Sequence, residues 1–297
     1  MNITVQPEAN AAVLPADFPA RVGVLGGGRM GAGIAHGFLV SGASVVVVER
    51  DAAAVQSARK RVEASAVKTI ERDPQAGNLD EMLSRLKVSM DYREFGDRQL
   101  VVEAVPEDWD LKVAALRKVE EHAAPGTVIA SNTSSLSVSG LAEELARPQD
   151  FLGLHFFNPV PASALIEVVI GKQTLPGLVE QARNWVLGLG KTAVVVNDAP
   201  GFASSRLGVA IALEAMRMVE EGVASAEDID NAMVLGYKHP TGPLRTTDIV
   251  GLDVRLGISE YLHKTLGARF APPQILREKV ARGELGRKTG KGFFDWT

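Results

Sequence analysis

His155 and Glu167 are the residues whose types and spacing point most directly to chemistry. Phe151-Leu152-Gly153-Leu154-His155-Phe156-Phe157-Asn158-Pro159 reads as a strand ending in a rigid turn, and residues 164–170 read as a further strand. Glu167 is the only charge in that second apolar run. A carboxylate set among β-branched residues needs a partner, because burying it alone is costly. His155, just before the intervening turn, supplies one. An imidazole accepts a proton near neutral pH, and a carboxylate on its other nitrogen fixes the tautomer. A third polar group comes from Ser131-Asn132-Thr133-Ser134-Ser135, which follows the strand Val128-Ile129-Ala130. Polar residues there, before a helix, sit where open α/β sheets bind ligands. The same residue types cap helices, so some of them cap while others bind. A serine hydrolase would use similar residues, but the sequence has no G-x-S-x-G elbow.

The partner chemistry is written in Val22-Gly23-Val24-Leu25-Gly26-Gly27-Gly28-Arg29-Met30-Gly31-Ala32-Gly33. Gly26, Gly28 and Gly31 fill a G-x-G-x-x-G pattern between a strand and a helix, with Arg29 and Met30 inside it. The first glycine makes the turn, the second admits a pyrophosphate, and the third lets the helix pack on the strand. The helix N-terminus offers free N–H groups to the phosphates. The next strand, Val45-Val46-Val47-Val48, ends at Glu49. An acid there accepts hydrogen bonds from the ribose hydroxyls and repels a 2′-phosphate, which favours NAD over NADP. Arg50 works against that discrimination, since an arginine can accommodate the phosphate. A dinucleotide, a polar loop and a His–Glu pair suit hydride transfer between a nicotinamide and an alcohol or ketone.

The elements that must position these residues form an α/β Rossmann-type NAD-binding domain over 21–198, after a flexible N-terminal lead-in, 1–20. Helices are expected at 29–41, 51–73, 79–86, 109–123 and 175–189, and strands at 21–25, 45–48, 100–105, 128–130, 164–170 and 193–196, beside the strand within 151–159 that ends in the turn. The β-branched runs predict strands buried on both faces of a parallel sheet. The helices at 51–73 and 79–86 read as a helical hairpin insertion. Arg59, Lys60, Arg61, Lys68 and Arg72 give it a basic flank, either a solvated face or a seat for a phosphate-bearing tail. From 199 to 297 the pattern turns helical, with helices near 202–222, from 226, 250–266 and 273–283: an all-α C-terminal domain. The 297 residues carry 46% hydrophobic and 23% charged side chains and a net charge of −4, so nucleic acid is not the expected partner. There is no cysteine, and the five histidines show no metal-ligand spacing. No apolar run is long enough to span a membrane, and no signal peptide is evident, so a cytoplasmic location is expected.

Taken together, GGGRMGAGIA, SNTSSL, HFFNPVP, DAPGF, GPLRTTDIVGLD and GRKTGKGF resemble the L-3-hydroxyacyl-CoA dehydrogenase family, especially its short 3-hydroxybutyryl-CoA type. The resemblance runs from about residue 21 to 297. It implies NAD-dependent oxidation of a (3S)-3-hydroxyacyl-CoA, with His155 as general base, Glu167 as its partner and Ser134 on the reacting oxygen. It implies cofactor contacts at Gly26, Gly28, Arg29, Met30, Gly31, Glu49, Glu107, Lys112, Ser134, Asn158 and Lys288. Ser65 and Arg72 fall on positions that approach coenzyme A, and the helical domain would carry a homodimer interface. Two departures stand out. Ser205 replaces an asparagine that helps bind the acyl carbonyl, and a serine has less hydrogen-bonding capacity than an amide. The loop Val160-Pro161-Ala162-Ser163-Ala164 lacks the bulkier residues and lysine common in the family. Two other readings use the same fold: dehydrogenation of a free hydroxy acid, as in the gulonate dehydrogenase and lambda-crystallin relatives, and a catalytically weak NAD-binding protein.

Overall fold

A computed structural model describes residues 14–296. The chain divides into two compact units, the first ending at Asp198 and the second beginning at Ala199.

The first unit is built on an eight-stranded sheet: β1 (Arg21–Leu25), β2 (Ser44–Val48), β3 (Leu86–Ser89), β4 (Leu100–Glu103), β5 (Val128–Ser131), β6 (Phe151–Phe156), β7 (Leu165–Ile170) and β8 (Thr192–Asn197). Their order is β3-β2-β1-β4-β5-β6-β7-β8. The first six follow the classic doubly wound order, whose direction reverses between β1 and β4. All neighbours pair in parallel except β6 and β7, which are antiparallel, so the sheet is mixed and not wholly parallel. β7 returns directly from β6 through a short loop, and only an antiparallel partner can be reached that way. β3 was not expected: residues 79–86 read as helix, but α3 ends earlier and Leu86 opens an edge strand paired with β2.

Among the described residues this unit's α-helices are α1 (Arg29–Val40), α2 (Ala52–Arg72), α3 (Leu79–Ser84), α4 (Trp109–His122), α5 (Val138–Glu143) and α6 (Pro176–Gly188). Asp51 caps α2 by accepting from the Ala54 N–H at 2.7 Å, and Asp108 caps α4 through Leu111 at 2.9 Å. α2 and α3 link β2 to β3, with Ala58, Val62 and Ala66 of α2 buried in the core beside Val22, Ile34, Phe38 and Val47. Residues 1–13 of the expected lead-in lie outside the described residues. The end of that segment is packed: the Phe18 ring lies 6.0 Å from Phe38, and Trp185 Nε1 donates to the Asp17 carbonyl at 2.7 Å.

The second unit contains α7 (Ser204–Glu220), α8 (Ala226–Asn231), α9 (Pro243–Val250), α10 (Leu252–Leu266) and α11 (Gln274–Ala281), with a π-helical turn at Ala232–Gly236. Val209, Leu213, Met216, Leu244, Leu252 and Leu262 form its core. The stretch expected as one helix from 250 begins at α10. Gly251, at φ +109°, separates it from α9, and few side chains adopt that conformation. The C-terminal loop is held by Asp248, whose carboxylate accepts from the Phe293 and Phe294 N–H groups and from Trp296 Nε1. Among the described residues no helix is long and apolar enough to cross a membrane.

Candidate active site

His155 lies at the carboxyl end of β6, and Glu167 near the amino end of the antiparallel β7. His155 and Glu167 are directly opposite in the β6–β7 ladder, and His155 Nδ1 lies 2.8 Å from Glu167 Oε2. Both are buried, at 7% and 0% exposure. A carboxylate only accepts, so Nδ1 carries the proton and Nε2 becomes the basic nitrogen. The Phe157 ring, with its centroid 4.4 Å from that of His155, covers one flank of the imidazole.

The loop after β5 is fixed beside this strand. Asn132 Oδ1 accepts from the Phe156 N–H at 2.9 Å, the residue after His155. Ser134 is held by Glu107: Oε1 accepts from its N–H at 2.9 Å and from the Thr133 hydroxyl at 2.7 Å. The Ser135 N–H and hydroxyl also donate to that oxygen, each at 2.9 Å. Burial pushes the Glu107 carboxyl up. The Lys112 ammonium, the Thr133 and Ser135 hydroxyls and the Ser134 N–H outweigh it and hold the group below its ordinary value.

Beneath this loop lies a buried charge network that sequence reasoning missed. Glu103, at the end of β4, accepts from Lys112 Nζ and the Val105 N–H at 2.7 Å each and from the Ser131 hydroxyl at 2.6 Å. Lys112 also lies 3.4 Å from Glu107 Oε2. Its ammonium is 1% exposed, which makes it a foundation for Glu107 and the polar loop. The signal was available: like Glu167, Glu103 is the one acid in an apolar strand.

The glycine loop has the shape a dinucleotide needs. Gly26, at φ +89°, turns the chain at the β1–β4 reversal. A Cβ on Gly31 would lie 1.7 Å from the Gly26 carbonyl oxygen, so only glycine allows α1 to start there. A Cβ on Gly28 would meet nothing within 4 Å, which leaves its backbone open to a pyrophosphate. Gly27, outside the motif, is also required: its Cβ would lie 2.3 Å from the Ala58 Cβ of α2. Glu49 turns onto this loop, Oε1 accepting from the Gly27 N–H at 2.6 Å and Oε2 from the Arg50 N–H at 3.1 Å. The residues present thus fit NAD.

Along α1 and α2 runs a cleft of about 560 Å³, bordered by Arg29, Arg61, Ser65, Lys68, Arg72 and Asn158. Arg29 and Asn158, expected at the cofactor, therefore also face this cleft, and Met30 is half-buried at the start of α1. Ser65 donates to the Arg61 carbonyl at 3.0 Å, and Arg61 reaches the Gly27 carbonyl at 3.3 Å. Ser205 and Lys288 belong to the second unit. Ser205 is half-buried in the first turn of α7, and Lys288 donates to both oxygens of Asp253 at 2.6 Å.

A mixed sheet of this order, an open glycine turn and a helical second unit define a two-domain, NAD-binding class of oxidoreductase. The chain belongs to the 3-hydroxyacyl-CoA dehydrogenase family: residues 21–199 match the family's NAD binding domain and residues 201–296 its C-terminal domain. It is 39% identical over 277 residues to a probable 3-hydroxybutyryl-CoA dehydrogenase of Deinococcus radiodurans, covering 93% of this chain and 100% of that one. A 3-hydroxybutyryl-CoA dehydrogenase of Mycobacterium tuberculosis is 39% identical over 286 residues, covering 93% and 98%. The crystal structure of (S)-3-hydroxybutyryl-CoA dehydrogenase from Ralstonia eutropha has a TM-score of 0.89 at 37% identity, covering 94% of this chain and 99% of that chain.

Proposed function

We propose that the protein interconverts a (3S)-3-hydroxyacyl-CoA and the corresponding 3-ketoacyl-CoA, with His155 as the general base. The observation that carries the reading is the 2.8 Å contact between His155 Nδ1 and the buried Glu167 carboxylate. NAD supplies the hydride acceptor when bound. His155 Nε2 takes the hydroxyl proton as hydride leaves the same carbon, and Glu167 stabilises the resulting imidazolium. Ser134, anchored by Glu107, donates to the substrate oxygen and orients C3. Gly26, Gly28, Arg29, Met30, Gly31 and Glu49 hold the adenosine half of the cofactor, and Glu107, Lys112, Asn158 and Lys288 support its nicotinamide half directly or through the polar loop. Ser205 assists at the acyl carbonyl.

The cleft beside α2 supports the coenzyme A part of the reading. Arg29 of α1 and Arg61, Lys68 and Arg72 of α2 put four cations around the cleft, which suits the phosphates of a coenzyme A tail. Ser65 and Arg72 are the proposed contacts, with α2 and α3 acting as the hairpin that covers the tail. In the helical unit Leu207, Leu235 and Tyr237 are 63%, 68% and 76% exposed, apolar surface that suits a homodimer interface. A cytoplasmic location completes the reading.

Steady-state NADH oxidation with acetoacetyl-CoA and with free acetoacetate tests this proposal. A much higher kcat/KM for the thioester is expected. Equal or greater turnover of the free keto acid would favour the hydroxy-acid reading, and turnover of neither would overturn both.

A further inference from the structure

The loop at 158–163 lines one side of the α2 cleft and carries Asn158; of its side chains, Val160 is buried and the Ser163 hydroxyl bonds the Leu165 backbone at 3.3 Å. Pro159 O accepts from the Ala162 and Ser163 N–H groups, each at 3.0 Å, so the loop coils on itself. That coil turns the carbonyls of Val160 and Ser163 inward, where each needs a donor. Both are met by one group from outside the loop. Lys191, just before β8, donates from Nζ to Val160 O at 2.8 Å and to Ser163 O at 2.5 Å.

The aim of Lys191 is built into the local chain. Gly190, at φ +68°, turns the backbone after α6, and the Lys191 N–H returns to the Val186 carbonyl at 3.1 Å. The ammonium is half-buried, and burial lowers its pKa from the ordinary lysine value. On the other side Val160, 3% exposed, sits against α1, where a Cβ on Gly33 would lie 2.9 Å from Val160. The loop is therefore gripped between α1, next to the glycine turn, and a lysine reaching in from just before β8. Residues 161–164 are short, so the lysine adds to Val160, the one buried side chain that anchors the loop.

We infer that Lys191 is a positioning residue for the acyl-CoA cleft: its two charge-assisted hydrogen bonds set the loop at 158–163, and with it Asn158 and the wall that faces the thioester tail. The inference rests on the acyl-CoA reading of the cleft. Lys191 touches no substrate atom and takes no part in proton transfer.

The test compares wild-type protein with K191M and K191R. In K191M the KM for acetoacetyl-CoA is expected to rise by about tenfold, the effect of losing hydrogen bonds to a charged group. The KM for NADH should rise much less, since Asn158 is one of several proposed cofactor contacts. Amide hydrogen exchange at Ala162 and Ser163 should quicken without a matching change in β1 or α1. K191R keeps a charged donor and should give a smaller rise, which keeps the test valid if K191M does not fold. An unchanged acetoacetyl-CoA KM, a parallel rise in both KM values, or a fall in kcat alone would overturn the assignment. Absence of acetoacetyl-CoA turnover and of coenzyme A binding by calorimetry in the wild type would overturn the acyl-CoA reading itself, a different result.

Discussion

His155 and Glu167 face each other across a single antiparallel rung, with Nδ1 and Oε2 2.8 Å apart and both side chains buried. The rung itself sets this geometry. A slip of one residue in β7 would send Glu167 to the other face of the sheet. The pair therefore depends on the register of two strands and not on a flexible loop. Replacing Glu167 by Gln keeps the shape and removes the charge that holds the imidazole tautomer. E167Q is expected to lower kcat about 10-fold or more while leaving NAD affinity close to wild type. Calorimetric NAD binding beside steady-state rates checks this; an unaltered kcat would separate the pair from the chemistry.

Gly31 and Gly28 should respond in opposite ways to the same substitution. G31A places a methyl group 1.7 Å from the Gly26 oxygen and should destabilise the fold by about 1–3 kcal/mol or more. G28A meets open space, so its melting temperature should be near wild type while its NAD affinity falls. Thermal melts with NAD titrations distinguish the two, and equal effects on stability would argue against the geometry of the turn.

Glu107 links the site to pH. Burial raises its carboxyl, but Lys112 and the Thr133, Ser135 and Ser134 donors lower it further, for a net depression below the ordinary value of 4.5. A group depressed in the folded state stabilises the fold above its unfolded value and loses that contribution as pH falls through the folded one. E107Q should therefore flatten the loss of stability below about pH 4.5, while also loosening the Ser134 loop and slowing turnover. Melting curves collected from neutral to acid pH report it; an identical acid slope in variant and wild type would contradict the network.

Lys112 and Glu103 form the buried half of that network, 2.7 Å apart at 1% and 0% exposure. Removing only the lysine leaves Glu103 as an uncompensated buried charge, a cost of about 3–5 kcal/mol. K112M should lower the melting temperature sharply, and adding E103Q should restore part of the loss because the two effects couple. Additive losses in the double variant would show that the pair does not act as a unit.

Much of this was legible in the sequence, for identifiable reasons. Val45–Val48 and Leu100–Val102 announce buried strands because central strands see apolar surroundings on both faces. Leu86-Lys87-Val88-Ser89 did not, because an edge strand needs no continuous apolar run and follows α3 with a single residue between. Glu167 drew attention as a lone acid in an apolar strand, yet Glu103 passed unnoticed: its pairing with Lys112 joins a strand to the following helix, which spacing alone does not show. The packing role of Gly27 was hidden as well, since it depends on where Ala58 of α2 comes to rest. The antiparallel turn-back of β7 could be read only from its short connection to β6.

His155 is proposed to take the substrate proton. Initial rates of NAD reduction with (3S)-3-hydroxybutyryl-CoA, measured for wild type and H155A beside NAD affinity, test it most directly. Turnover should drop about 10²–10⁴-fold in the variant, the usual contribution of a general base, with NAD affinity retained. Near-native turnover by H155A would contradict it.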